Sequence, residues 1–148
     1  MTKVYLNSLF FNLSLTAKGI FMFFALSLSN INELDSQNKF KVVIAPGPSE
    51  IKEASNFNAL CVLDNGKALD ISQLASLIKG SSFVVANDTG PAHITAHLGS
   101  RGVALFGSHT SPFKVSIERE NFKAIQVEDL SKLSANKVLE KMMLSLKL

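Results

Sequence analysis

The sequence predicts an α/β domain built on a doubly wound parallel sheet, and three observations predict it. From Lys41 onward, short apolar runs rich in β-branched residues alternate with helix-patterned segments. The connections between them run two to six residues. The composition, 47% apolar and 18% charged over 148 residues, suits one globular domain with a real core. Alternating strands and helices with short connections imply a parallel sheet covered on both faces. Right-handed crossovers then wind it both ways, as in Rossmann-like domains. Ligands of such sheets bind beyond the carboxyl ends of the strands, which singles out the loops after Ala45 and after Ala86.

The first regular element is Lys41–Ala45, KVVIA, a buried strand by its β-branched content. Pro46-Gly47-Pro48 ends it, because neither a strand nor a helix interior tolerates that sequence. Ser49 is placed to cap a short helix with Glu50 in its first turn, where the dipole favours negative charge. Leu60–Leu63 reads as a second strand, stopped by the turn pair Asn65-Gly66. Asp70 and Gln73 stand at capping-box spacing ahead of a helix whose Ile71, Leu74 and Ile78 share one face, with Gly80 as its stop. The strand Phe83–Ala86, the loop Asn87–Gly90 and a short helix from Pro91 to Leu98 follow, ending at Gly99. Val103–Phe106 is a fourth strand closed by Gly107, and a fifth lies within Phe122–Val127. The last helix starts near Ser134 and buries Val138, Met142 and Leu146. There is no internal repeat and no low-complexity tract.

Residues 1–40 form an apolar segment whose structure the sequence leaves open. The uncharged stretches Val4–Ala17 and Gly19–Asn32 are split by Lys18, and neither reaches the roughly 18–20 apolar residues of a spanning helix. Joined, they would hold Lys18 near mid-membrane at a cost of about 2.5–3.5 kcal/mol. Ala25-Leu26-Ser27 imitates an export cleavage site, but the region before Lys18 is too long and too apolar for a leader's basic start. The preferred expectation is a buried or partner-facing segment, with Phe10, Phe11, Phe21, Phe23 and Phe24 as core or interface. The net charge of +3 is mild and its cations are scattered, which argues against a nucleic-acid partner. Cys61, the one cysteine, excludes an internal disulfide and reads as a small buried hydrophobe in a reducing compartment.

Phe83–Gly99, FVVANDTGPAHITAHLG, is the stretch that carries chemistry. A buried strand delivers the chain to Asn87-Asp88-Thr89-Gly90, and Pro91 suits the first turn of a helix. Gly90 permits close approach to the backbone, and the free first-turn amides with the helix dipole are expected to form an anion site. His93 projects from the same turn and can donate to a bound oxyanion, with phosphate as the natural guest. The competing reading is purely structural: many such junctions bind nothing, and Asp88 or Thr89 can serve as a helix cap.

NDTGPAH, Gly99 and the strand VALFG together resemble the motif of glycosyltransferase family 9, the heptosyltransferases, which have the two-domain GT-B fold. The resemblance covers roughly Lys41 to Gly107 and is looser after His109. It implies that residues 41–148 are a nucleotide-sugar donor-binding domain similar to the C-terminal half of those enzymes. On that likeness Asp88, Thr89, Gly90 and His93 line the diphosphate and sugar of an ADP-heptose-like donor. VVIAPGPSE resembles the family's second donor element and places Glu50 at the nucleotide ribose, while Leu69 matches a residue packed against the base.

Departures from the family pattern are specific. Arg101-Gly102 stands where a proline usually enters the strand, and His97 where a small residue is common. The chain has no tryptophan, so it lacks the Lys-x-Trp-Pro-like element whose lysine meets the phosphates. Nor does it contain an acceptor domain with the catalytic carboxylate, so no catalytic residue is assigned and the chain is expected to be inactive by itself. The expected function is the donor half of an inverting transferase of lipopolysaccharide synthesis. The alternative is a non-catalytic nucleotide-binding remnant or interaction module of the same fold. Expected partners are the donor nucleotide, a lipopolysaccharide-core acceptor if an acceptor domain is supplied, and a membrane or partner domain through residues 1–40. The location implied is cytoplasmic, either free or peripheral at the inner face of the inner membrane. No metal or cofactor is expected. His93 and His97 have ligand spacing and His109 is a third candidate, but Ile94 stands where an HExxH glutamate would be.

Overall fold

The computed structural model describes residues 4–5, 20–24, 41–56 and 59–147. In chain order the strands are β1 (Val4–Tyr5), β2 (Ile20–Phe24), β3 (Lys41–Ile44), β4 (Leu60–Leu63), β5 (Phe83–Asn87), β6 (Gly102–Phe106) and β7 (Phe122–Gln126). The helices are α1 (Ile51–Ala54), α2 (Ile71–Gly80), α3 (Gly90–His97), α4 (Pro112–Val115) and α5 (Ala135–Leu146), with a 3-10 turn at Leu130–Lys132. The strands form one sheet in the order β1-β4-β3-β2-β5-β6-β7, and the neighbouring strands pair in parallel.

From β2 the chain lays β3 and then β4 toward one edge, crosses back, and lays β5, β6 and β7 toward the other. The sheet therefore reverses direction at β2. Phe21 is in register with Val42 of β3 and with Phe83 of β5. The central strand thus comes from the first forty residues, and the sheet runs across the boundary that the sequence reading draws at residue 41. Phe21, Phe23 and Phe24 belong to β2, whereas Phe10, Phe11, Lys18 and Ala25-Leu26-Ser27 lie outside the described residues. Among the described residues no helix is long and apolar enough to cross a membrane.

Both faces of the sheet are covered. Val42, Ile44, Val85, Val103 and Leu105 face one way and pack with Ala54 of α1 and Val138 and Met142 of α5. Val43, Ala45, Val84, Ala86 and Ala104 face the other way and pack with Leu77 and Ile78 of α2 and Ala92 and Ala96 of α3. This is the period-two alternation of a strand buried on both sides, and each large side chain so buried contributes roughly 1.5–3 kcal/mol.

Several local expectations are revised. Ser49 does not cap α1: the cap position is Glu50, which makes no side-chain cap bond and instead accepts from Gly47 N through Oε2 at 2.8 Å. Ile71 is 75% exposed, so the buried face of α2 is carried by Leu77 and Ile78, with Leu74 half-buried. Ile71 is the first residue of the helix and precedes the turns that reach the sheet. The capping box is present in full, with Gln73 N donating to Asp70 Oδ1 at 2.8 Å and Asp70 N to Gln73 Oε1 at 2.9 Å. Ser134 caps α5 as expected, and Leu146 packs half-buried against the same cluster as Val138. A single turn shows no periodicity, so the sequence pattern does not announce α4 or the 3-10 turn.

Candidate functional site

The turn after β5 is built as an extension of the sheet. Asp88 N donates to Leu105 O at 3.1 Å, continuing the β5–β6 ladder one residue beyond the strand. Thr89 is extended and occupies the cap position of α3, with Pro91 in the first turn. The small residues Ala92 and Ala96 let α3 lie close on the sheet, and the buried Thr95 satisfies its hydroxyl on Pro91 O at 2.7 Å. These contacts hold the N-terminus of α3 beside the strand ends.

The first turn of α3 leaves fewer free amides than the sequence suggests. Pro91 has no N–H, and the amides of Ala92 and His93 both donate to Thr89 O, at 3.0 and 3.3 Å. Among the first-turn amides only that of Gly90 has no acceptor among the described residues. A side chain on Gly90 would meet nothing within 4 Å, so the backbone there is open to approach. Side chains complete the turn. Thr89 makes no cap bond with its hydroxyl, which donates to Asn87 O at 3.3 Å. Asp88 Oδ1 lies 3.6 Å from His93 Nε2, the carboxylate side chain being 12% exposed and the imidazole 42%.

The loop after β3 faces this turn across β2. Gly47 and Glu50 close it on themselves, Gly47 N donating to the Glu50 carboxylate and Glu50 N to Gly47 O at 3.0 Å. Between the two loops opens a pocket of about 280 Å³, lined among others by Gly47, Glu50, Leu69, Leu74, Thr89 and Pro91. Of the six residues singled out from the sequence, Glu50, Leu69 and Thr89 share its walls. Asp88, Gly90 and His93 are not among its lining residues and belong to the adjoining turn. By sequence pattern Leu74 is a core position and Pro91 a helix starter, yet both line the pocket. Apolar periodicity does not distinguish a residue facing a core from one facing a pocket.

His97 Nδ1 sits 2.8 Å from His93 O, the geometry of a ring that folds back on its own helix. His109 is exposed and lies near Gly107, where an added Cβ would be 3.2 Å from its Nδ1. No three His, Cys, Asp or Glu side chains among the described residues converge as a metal site.

The family model for glycosyltransferase family 9 (heptosyltransferase) matches residues 32–142. The chain belongs to this family. Its fold is similar to half of E. coli heptosyltransferase WaaC, solved with ADP, at a TM-score of 0.73 and 22% identity, covering 98% of this chain and 51% of that one. E. coli ADP-heptose lps heptosyltransferase II superposes with a TM-score of 0.72 at 18% identity, over 99% of this chain and 53% of that one. A family 9 protein from Veillonella parvula DSM 2008 gives 0.74 at 16% identity, with 95% and 50% covered. The chain thus spans about half the length of these heptosyltransferase structures. No curated protein matches it. In this family 9 chain Gly102, part of the departure at Arg101-Gly102, sits in close packing. A Cβ on Gly102 would stand 2.4 Å from Val84 O and 2.8 Å from the Phe122 ring.

Proposed function

We propose that the chain is the donor-binding half of an inverting glycosyltransferase and takes a nucleoside-diphosphate sugar of the ADP-heptose kind. The observation that carries this reading is the pocket at the reversal point of the sheet, bounded by Glu50 and Leu69 and adjoining the Asp88–His93 turn. Apolar Leu69 and Leu74 suit a base, and the carboxylate of Glu50 suits ribose hydroxyls. The Gly90 amide, the Thr89 hydroxyl, His93 and the dipole of α3 suit the diphosphate.

In the complete reaction an acceptor hydroxyl oxygen attacks the anomeric carbon as the bond from that carbon to the diphosphate oxygen breaks. The bonding pair leaves with the nucleoside diphosphate, and the hydroxyl proton passes to a carboxylate base on a second domain. This chain's part is to stabilise the departing charge with Gly90 N–H and His93. The role of a cation is then filled by backbone and imidazole donors, with no metal required.

Calorimetry on the full 148-residue chain tests the reading. ADP is expected to bind with a submillimolar Kd, and the double variant G90V/H93A to lose that binding while keeping its thermal transition. A wild-type chain silent toward ADP and ADP-sugars would refute the donor assignment and leave a fold without its ligand.

A further inference from the structure

Two local devices bracket the pocket residues Ala68 and Leu69. On one side is a two-residue hairpin turn, in which Asp64 and Lys67 exchange both backbone hydrogen bonds at 2.9 Å. Asn65 and Gly66 there take φ of 49° and 82°, the left-handed values such a turn demands. On the other side is the capping box of Asp70 and Gln73. Each device is satisfied within its own few residues, and neither fixes how the turn sits against the helix.

One further bond does. Gln73 Nε2 donates to Asp64 Oδ2 at 2.9 Å, across nine positions of sequence and in a half-buried setting. The other Asp64 oxygen accepts from Asn65 Nδ2 at 2.9 Å. Both ends of the Gln73 amide are thus engaged: Oε1 closes the box, and Nε2 holds the turn. Glutamate would close the box equally well, and its charge would suit the positive end of the helix. What it lacks is the donor. The amide at position 73 is explained by Asp64 and not by the helix.

We propose that Gln73 is a positioning residue for the nucleotide pocket: by tying the Asp64 turn to the start of α2, it fixes Ala68 and Leu69 as the wall that meets the base. The inference rests on the donor-pocket reading above. Gln73 does not itself line the pocket, so it acts through the segment it anchors.

The test separates capping from tethering. Gln73→Glu keeps the box but removes the donor and sets two carboxylates against each other. The full chain carrying it is expected to melt near the wild-type temperature and to bind ADP roughly tenfold more weakly. Its affinity for inorganic pyrophosphate, which has no base to meet Leu69, is expected to be unchanged. Adding Asp64→Asn to Gln73→Glu swaps donor and acceptor, and is expected to restore ADP affinity to within about twofold. Gln73→Ala, which loses the box as well, is expected to melt lower than Gln73→Glu yet bind ADP no worse. Unchanged ADP affinity in Gln73→Glu, parallel loss of pyrophosphate and ADP, or no recovery in D64N/Q73E would each overturn the inference. Wild-type silence toward ADP would remove the donor-pocket reading and the inference together, whereas wild-type binding with an unchanged Gln73→Glu removes the inference alone.

Discussion

Gly102 and Gly90 stand at opposite ends of the sheet and in opposite steric surroundings. Gly102 opens β6, where an added Cβ would collide with Val84 O at 2.4 Å and the buried Phe122 ring at 2.8 Å. Gly90 lies past the carboxyl end of β5, where an added Cβ would meet nothing within 4 Å. Neither has a positive φ, so conformational freedom accounts for neither. At the amino end the missing side chain is used up by the protein's own packing. At the carboxyl end, the side on which ligands of doubly wound sheets bind, the backbone stays open.

The largest effect that would break this contrast is at the packed glycine. Gly102→Ala is expected to lower unfolding free energy by about 1–3 kcal/mol in urea denaturation, because the contact is with backbone and an aromatic ring and not with a flexible side-chain end. A loss no greater than that of an ordinary surface change would show that β6 can shift away. Next is the ligand side. His93→Ala is expected to weaken ADP binding by about tenfold in calorimetry with little change in melting, the cost of one hydrogen bond to a charged group. Equal affinity in the variant would place the anion elsewhere.

A smaller and opposite effect is expected at the open glycine. Gly90→Ala should raise stability by about 0.4–1 kcal/mol, since the backbone is in an ordinary conformation and the unfolded chain loses freedom. The same variant should weaken pyrophosphate binding, setting stability against function at one position. The smallest effect concerns Asp129, which lies at the carboxyl edge after β7 but outside the pocket. The Ser131 hydroxyl, and then its amide, hold the Asp129 carboxyl below the usual carboxylate value. A depressed folded-state value adds stability above the ordinary carboxylate range and loses it as pH falls through the folded value. Asp129→Asn should therefore slightly flatten the acid limb of stability against pH, leaving ADP binding unaltered. A steeper limb would reverse the sign of that contribution.

Much of this molecule is readable locally. KVVI is a strand because β-branched residues suit a pleat, and Asp70 with Gln73 announces a helix because two orphan amides find acceptors within four residues. NDTGPAH marks a strand-to-helix turn through the proline and the glycine it contains. Local chemistry misled where two residues compete for one role. Ser49 is a good capping residue, yet Glu50 takes the position because its carboxylate reaches Gly47 N. Ile20–Phe24 was not readable as a strand, since an apolar run without alternation looks the same in a strand, a buried helix or an interface.

The sequence by itself determined the five strands and four of the five helices from Lys41 onward, the alternation that buries both faces, and the chemical character of the two loops. The tertiary structure alone decided the strand order. Inserting β2 between β3 and β5 separates their ends by roughly 9–10 Å, two strand spacings, and so opens a pocket with Glu50 and Leu69 on one side and Thr89 on the other. Strand order is set by pairing between residues far apart in the chain, and no local pattern records it, because every inner strand of a parallel sheet offers the same apolar surface to its neighbours.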